Sequence, residues 1–526
     1  MEEVELTRRE LLLAFLGVAC SRSSRRPPLP PGEIVGASHE FGHRLRTPQN
    51  IVPTDWSNHD VVIVGAGVAG LAAAWRFKHA DFNDVVVLEL EEVAGGTSRS
   101  GRGFPWGAHY VPVPLREDRA LTRVLSEMGV LESTDPPTAA EQFIVRDPEE
   151  RVFYRGRWYE GLYLAAGASA DDLRQYREFE AEIAKWVAWR DGRGRRAFTI
   201  PSSLSSDDAD VMALDKLSMA EWMDAHRWTS PRLRWYVDYA CRDDYGARLA
   251  DTSAWAGIFY FASRVAEPGK ESEPLITWPE GNGRLIAHLG KSARVDTGWL
   301  VVSVAPTDAG ADIVALSRDG RHARGIHAKH VVFAAPQFIA ARVIRDYPRD
   351  VHEFMYGSWL VANLTLKDRP ASVGFPLSWD NVLYESPALG YIVATHQIGR
   401  DYGPTTLTYY YAMCDHDPRT ARSRLLSLTR DQCAEIVLSD LERAHPEIRA
   451  LAQRLDVMRW GHAMIRPHPG FINSAARRSA SEAWRNIHFA NADLSGVALF
   501  EEALDHGVRA AEEILRATRG DVVSFV

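Results

Sequence analysis

The stretch Val61-Val-Ile-Val-Gly-Ala-Gly-Val-Ala-Gly70, followed by Val85-Val-Val-Leu-Glu89, decides the fold of this chain. Four β-branched residues in a row read as a strand buried on both faces, the pattern of a parallel sheet. Glycines follow at G-x-G-x-x-G spacing, and a helix opens near Val68. Gly65 permits the tight turn. Gly67 lets backbone approach a pyrophosphate with no Cβ between them, and Gly70 lets the helix lie close to the strand. The helix aims its first N–H groups, at Val68 and Ala69, and its positive dipole end at the phosphates. About twenty residues on, Glu89 ends a second apolar strand, where a carboxylate accepts from a ribose diol and repels a 2′-phosphate. A glycine triplet alone is weak. The complete strand–turn–helix–strand–carboxylate unit predicts a bound dinucleotide on an α/β domain.

The next residues select the dinucleotide. After Leu90 comes Glu91-Glu-Val-Ala-Gly95-Gly-Thr-Ser-Arg-Ser-Gly101. Here the chain resembles the FAD-dependent amine oxidase and phytoene desaturase superfamily, in which a Gly-Gly pair passes beside the cofactor. The resemblance implies FAD contacts at Gly95, Gly96, Thr97 and Ser98. That family commonly places an Arg straight after the pair; here Thr97 stands there and Arg99 follows two positions later. A second match comprises Ile487-His-Phe-Ala-Asn-Ala-Asp493 and Leu499-Phe-Glu-Glu-Ala-Leu-Asp-His-Gly507. These resemble the closing strand, acidic residue and final helix of the family. By resemblance Asp493 binds the ribityl or pyrophosphate region. The helix from Leu499 and Phe500 offers N–H groups to the flavin C2 carbonyl, stabilising negative charge on the reduced ring. Ala492-Asp493 replaces the usual Gly-Glu, and Glu502 replaces a Gly. Thr277-Trp-Pro-Glu-Gly-Asn-Gly283 and Val331-Val-Phe-Ala-Ala-Pro336 resemble two further cofactor-side segments. Between them Trp299 to Val304 and Ile313 to Leu316 are strand-like, with a turn at Arg318-Asp-Gly320, and backbone at Val302 to Val304 is implied to touch adenine.

These matches fall in three pieces, 58–125, 276–345 and 455–520. The expected architecture is a discontinuous Rossmann-like FAD-binding domain with an inserted α+β substrate domain, 126–275 and 346–454. The first insertion reads as largely helical: Asp171 to Trp189 has apolar and aromatic residues at helical spacing, and Ser218-Met-Ala-Glu221 has capping-box form. The second carries β-rich runs, Trp359 to Leu366 and Thr405 to Ala412. The resemblance implies a sheet over one flavin face, with helices closing the pocket.

Residues 1–20 read as an export leader. Arg8 and Arg9 precede an apolar run, Leu11 to Ala19, that is far shorter than the ~20 residues needed to span a bilayer. The paired arginines suit the twin-arginine route, which carries folded proteins to the periplasm or cell envelope. Cys20 stands where a lipoprotein signal places its acylated cysteine, although Leu16 lies one position away from the usual spacing. The acidic Met1-Glu-Glu-Val-Glu5 is atypical for a signal, and the alternative is an uncleaved leader with a chance Arg pair. Residues 21–57, rich in Ser, Arg and Pro, read as a tether, with the folded body starting near Asp60.

Composition bounds the partners. A hydrophobic share of 46% supports two packed domains, and a net charge of −9 gives no basic footprint for nucleic acid. Arg190 to Arg196 reads as a solvated loop. Cys20, Cys241, Cys414 and Cys433 lack metal-ligand spacing, and neither a metal site nor a disulfide is expected.

Catalytic residues are weakly marked, because hydride transfer to a flavin needs little beyond placement of the donor carbon. His109 and Tyr110 lie where the family's chain crosses the flavin edge, and His109 is a candidate base, orienting donor or structural histidine. Trp460 and His462 are the second pair of candidates, just before the last cofactor piece. Arg242, in Arg242-Asp-Asp-Tyr-Gly246, reads first as structural and second as a substrate-carboxylate anchor. No lysine can be assigned to the flavin N5 position that amine oxidases often equip. No second glycine fingerprint exists for a nicotinamide, so electrons are expected from an organic substrate and pass to oxygen, a quinone or a small carrier. The resemblance leaves three readings: oxidation of an amine or a hydrophobic C–C bond, desaturation or isomerisation of a polyene or lipid, and a non-catalytic protein stabilised by FAD.

Overall fold

The computed structural model describes residues 27–47 and 51–526. Two sheets organise them. The first holds the fingerprint: strand β1 (Asp55–Val64), helix α1 (Val68–Lys78) and strand β2 (Val85–Leu88). Its strand order is Arg294–Asp296, β2, β1, Ala323–Phe333, Gly310–Ser317, Trp299–Thr307, with Ile487–Phe489 also paired to Ala323–Phe333. β1 runs parallel to β2 and to Ala323–Phe333, in registers Val61↔Val85 and Val331↔Val62. Val61, Val62 and Ile63 are fully buried because helices cover one face and the antiparallel strands' apolar residues the other.

α1 is apolar nearly all round, since it lies between the sheet and helix α2 (Phe500–Arg519). Alanines 72–74 and Gly507 let the two helices approach closely. A Cβ at Gly507 would lie 2.2 Å from the Ala69 carbonyl oxygen and 2.8 Å from the Ala72 Cβ.

The second sheet has eight strands, ordered Ile34–Gly36, Ala452–Ile465, Tyr356–Leu366, Thr405–Ala412, Gly390–Val393, Asp380–Leu383, Glu150–Tyr154, Arg157–Glu160. It therefore draws on both insertions. Five α-helices between Ala170 and Ala262 form the helical part, and Ser218 closes its capping box with Glu221.

Three boundaries differ from the sequence reading. Within 21–57, residues 27–47 are no tether: Ile34–Gly36 adds to the sheet edge, Pro31 and Glu33 carbonyls accept from Leu455 and Val457, and Phe41 is buried against Leu300 and Leu316. Main-chain hydrogen bonds to an edge strand do not require apolar composition, so this segment carried no hydrophobic signal. The fingerprint strand itself begins at Asp55, ahead of Asp60, because an exposed half of β1 still pairs with Arg324 to Ala328. Residues 455–465, assigned above to the cofactor domain, extend a fourteen-residue strand of the second sheet. Arg8, Arg9 and Cys20 lie outside the described residues, among which no helix is long and apolar enough to cross a membrane.

Gly507→Ala should lower the apoprotein's melting temperature. The clash with Ala69, roughly 1–3 kcal/mol, outweighs the helix-propensity gain of about 0.5–1 kcal/mol. Calorimetry of the apoprotein checks this; a rise in Tm would mean that α1 and α2 are not in contact at Gly507.

Candidate active site

The cavity between the two sheets, about 500 Å³, is framed by the fingerprint turn. At Gly65, with φ +103°, the chain bends away from the Ala334 carbonyl, which would sit 3.1 Å from a Cβ there. The turn is locked by the Glu89 carboxylate, which accepts from the Ala66 N–H at 2.7 Å and the Glu91 N–H at 2.8 Å. Burial raises the pKa of Glu89 despite those bonds. The second glycine turn docks on the first: Gly95 N–H donates to the Ala66 carbonyl at 2.8 Å, and a Cβ on Gly96 would be 3.4 Å from the Gly67 Cα. Gly65, Gly67, Val68, Ala69, Glu89, Gly95, Gly96, Thr97 and Ser98 all line the cavity. Gly70 does not: a Cβ there would be 1.9 Å from the Gly65 carbonyl oxygen, so its role is the helix–strand contact. A Cβ on Gly67 would meet no atom within 4 Å, because it would project into the cavity.

At the other end Asp493 lines the cavity, with Leu499 and Phe500 at the N-terminus of α2. Asp493 accepts from the Gln337 N–H at 3.0 Å and the Tyr356 hydroxyl at 2.5 Å, while burial lifts its pKa to about 6. The cradle, the helix N-termini and these carboxylates fit a flavin dinucleotide along the whole cavity.

Val304 is a correction. It packs in the core, its carbonyl accepting from the Arg345 N–H, while Trp299, Leu300 and Val301 line the cavity instead. A register shift between Val301 and Ser303 separates these two parts of the strand, so the backbone contact that the resemblance implied for Val302 to Val304 falls to Trp299 to Val301. Arg99 lies outside the lining, ion-paired to Glu91 at 3.4 Å and stacked over Trp460. Glu91 is also held by the Ser38 N–H and hydroxyl, so the N-terminal segment braces this corner, and its Gly42 and Leu45 line the cavity.

The four catalytic candidates come together in the same cavity. His109 stacks on Tyr410 with ring centroids 5.0 Å apart, and burial lowers its pKa to about 4. Its Nδ1 lies 3.3 Å from the Gly107 carbonyl, which selects the tautomer with a free lone pair on Nε2. Tyr110 is braced by Asn282, whose amide donates to the Tyr110 carbonyl at 2.9 Å. Trp460 donates to the Trp106 carbonyl at 2.6 Å. His462 stacks on Phe338, and burial holds its pKa at about 3, so it too is neutral.

The chain belongs to the flavin-containing amine oxidoreductase family. That family's model matches residues 68–515. The enzyme is thus an FAD-dependent oxidoreductase. A local match joins it to L-amino acid oxidase of Bothrops pictus, 34% identical over 113 residues, 21% of this chain and 22% of that protein. The chain thus covers under a quarter of that relative's length. Over 88% of its length the fold is similar to a putrescine oxidase structure, all of which is covered, with TM-score 0.64 and 16% identity. It is likewise similar over 88% to a CLA-producing fatty acid isomerase from P. acnes, 99% of which is covered, with TM-score 0.60 and 13% identity.

Sequence reasoning missed Tyr356, Tyr410, Asn282 and Glu501, all of which line the cavity of this oxidoreductase. Tyr410 had a usable signal: in Tyr409-Tyr410-Tyr411, strand alternation sends the middle ring opposite to its neighbours, which pack under the sheet. Arg242 turns from the cavity to Asp238, 2.9 Å away, and to the Pro387 carbonyl, so it is structural.

Gly67→Ala should leave apoprotein stability within about 0.5 kcal/mol of the parent yet strip FAD during gel filtration. Gly70→Ala should lose both stability and FAD. Thermal unfolding and the flavin absorbance of the eluted protein check the pair.

Proposed function

We propose that this enzyme oxidises the carbon–nitrogen bond of an amine. The charge of the cavity carries the reading. Its guanidinium, Arg264, is already paired with Asp244 at 2.9 Å, while Asp243 and Glu501 line the cavity and accept no hydrogen bond from another residue among those described. Burial raises the pKa of both. A cavity whose spare charge is negative favours an ammonium and disfavours the carboxylate of an amino acid or fatty acid. The same carboxyls weigh against the polyene and lipid reading, which wants an apolar pocket, and a cavity that reaches His109 and Tyr410 weighs against a non-catalytic role.

When bound, FAD supplies a two-electron acceptor for hydride from the carbon next to nitrogen. Loss of that hydride would let the nitrogen lone pair form the C=N bond, with oxygen or a quinone as the proposed final electron acceptor. Before that step the ammonium must shed a proton, and Asp243 and Glu501 are the carboxylates positioned in the cavity to take it. Neutral His109 orients the nitrogen through Nε2, and the stacked rings of His109 and Tyr410 exclude water. Export of the folded enzyme to the periplasm or envelope, with Cys20 as a candidate lipid anchor, is proposed from the Arg8-Arg9 leader. Cell fractionation of an R8K/R9K variant tests it, with retention in the cytoplasm as the expected result.

Amines should bleach the flavin absorbance under anaerobic conditions, whereas fatty acids and polyenes should not. With its pKa near 4, His109 should add no inflection to the pH dependence of flavin reduction between pH 6 and 9. His109→Asn should therefore slow reduction without changing the shape of that profile. A profile whose acid limb disappears in the variant would make His109 the base.

A further inference from the structure

Among the described residues the long cavity is lined by one arginine and no lysine. That arginine, Arg264, is already paired with Asp244 at 2.9 Å, and Glu501 acts on it as well. The glycine turns of the same cavity must receive a dianionic diphosphate, yet Glu89 and Asp493 are the charged side chains that line this stretch. Thr97 stands where the family commonly has an arginine, and Arg99 is turned away to Glu91 and Trp460. Backbone N–H groups alone would leave the diphosphate without a counter-charge in a desolvated space.

A group of cations without carboxylate partners lies at the edge of this stretch. His462, on the strand Ala452–Ile465, lines the cavity and stacks on Phe338 with ring centroids 4.2 Å apart. Phe338 follows closely on Ala334, whose carbonyl abuts Gly65, so His462 looks onto the fingerprint turn from the second sheet. Its ring nitrogens make no hydrogen bond with any described residue. Four more basic side chains gather round it: His43 and Arg46 on the N-terminal segment, Arg342 on the helix Gln337–Val343, and Arg422 on the helix Pro418–Ser427. Arg46 lies 2.8 Å from the His43 ring, and Arg422 donates to the Gly461 carbonyl at 3.2 Å. None of the five forms an ion pair with a carboxylate among the described residues.

The acids nearby are otherwise engaged. Asp417, which acts on Arg422, caps its own helix through the Arg419 and Thr420 N–H groups. Asp493 accepts from the Gln337 N–H and the Tyr356 hydroxyl. Burial depresses the pKa of His462, and repulsion from Arg422, His43, Arg46 and Arg342 depresses it further. Burial likewise lowers His43, with Arg46, His39 and Arg342 adding to the effect. Cations assembled in this way repel one another, and an anion placed among them relieves the repulsion. The chain's net charge is −9, so this group is a local reversal of sign and not part of a general basic surface.

We propose that His462, with Arg422, Arg342 and the His43–Arg46 turn around it, supplies the counter-charge for the diphosphate of FAD. The histidine offers a ring N–H to a phosphate oxygen, and the arginines add attraction from the cavity edge. His462 thereby leaves the oxidation step and becomes a cofactor-binding residue. The N-terminal segment becomes part of the cofactor site, because it brings two of the five groups together with Gly42 and Leu45 of the lining. The site is independent of which bond the enzyme oxidises.

Full-length protein freed of flavin is titrated with FAD and, separately, with riboflavin, which has the isoalloxazine ring and lacks the diphosphate. Quenching of flavin fluorescence reports both dissociation constants, at low salt and at roughly 0.5 M salt, where exposed charges are screened. His462→Ala should weaken FAD binding roughly 10- to 100-fold, the loss of one charge-assisted hydrogen bond, and leave riboflavin within about 2-fold. The double variant R46Q/R342Q changes two exposed side chains and spares the core. It should weaken FAD roughly 3- to 10-fold at low salt and flatten the salt dependence, again without effect on riboflavin. A parent-like FAD constant in His462→Ala, an unchanged salt dependence in R46Q/R342Q, or losses shared equally by FAD and riboflavin would each overturn the proposal.

Discussion

The contact between two backbone turns governs this molecule. The turn after β1 and the turn after β2 touch through Gly95 N–H, the Ala66 carbonyl, and the bare α-carbons of Gly67 and Gly96. Glu89 ties the pair by accepting one N–H from each side. A side chain at Gly70 would drive α1 off its strand, and one at Gly67 would project into the cavity. The remaining elements are arranged around that fixed point: α2 lies across α1, presents its N-terminus to the far end of the cavity, and brings Glu501 with it.

The second sheet contributes chemistry of a different kind. It supplies aromatic rings, Trp359, Tyr410 and Trp460 among them, to the cavity wall. Burial beneath it holds His109 and His462 neutral and lifts nearby carboxyls toward protonation. Electrostatics in such a cavity are strong because the surroundings screen poorly. A few unpaired carboxyls can therefore select the charge of a substrate more effectively than the shape of the walls does. Glu502, which stands where the family usually has a glycine, is accounted for in the same structural terms. Its carboxylate takes the Ser202 N–H and hydroxyl, and so joins α2 to the helical insertion.

Local readings reached the turns that frame the cavity, because the physics there is local. Gly65 to Gly70, Glu89 and Gly95-Gly96 were legible because a turn, a close approach and a strand-end carboxylate each impose a residue type on neighbouring positions. Asp493, Leu499 and Phe500 were legible by resemblance and do line the cavity. Val304 was misjudged by a bulge that no composition announces. The segment 27–47 was misjudged because its hold on the body is mostly backbone to backbone.

By itself, then, the sequence determined that a dinucleotide is held by a parallel α/β unit, and through its resemblance that the dinucleotide is FAD. Only the tertiary structure decided what faces that cofactor. Asp243 and Glu501 are more than two hundred positions apart in the chain, and nothing in their neighbours marks them as members of one wall. Their meaning comes from sharing one desolvated space, where charge is counted over the cavity and not along the chain.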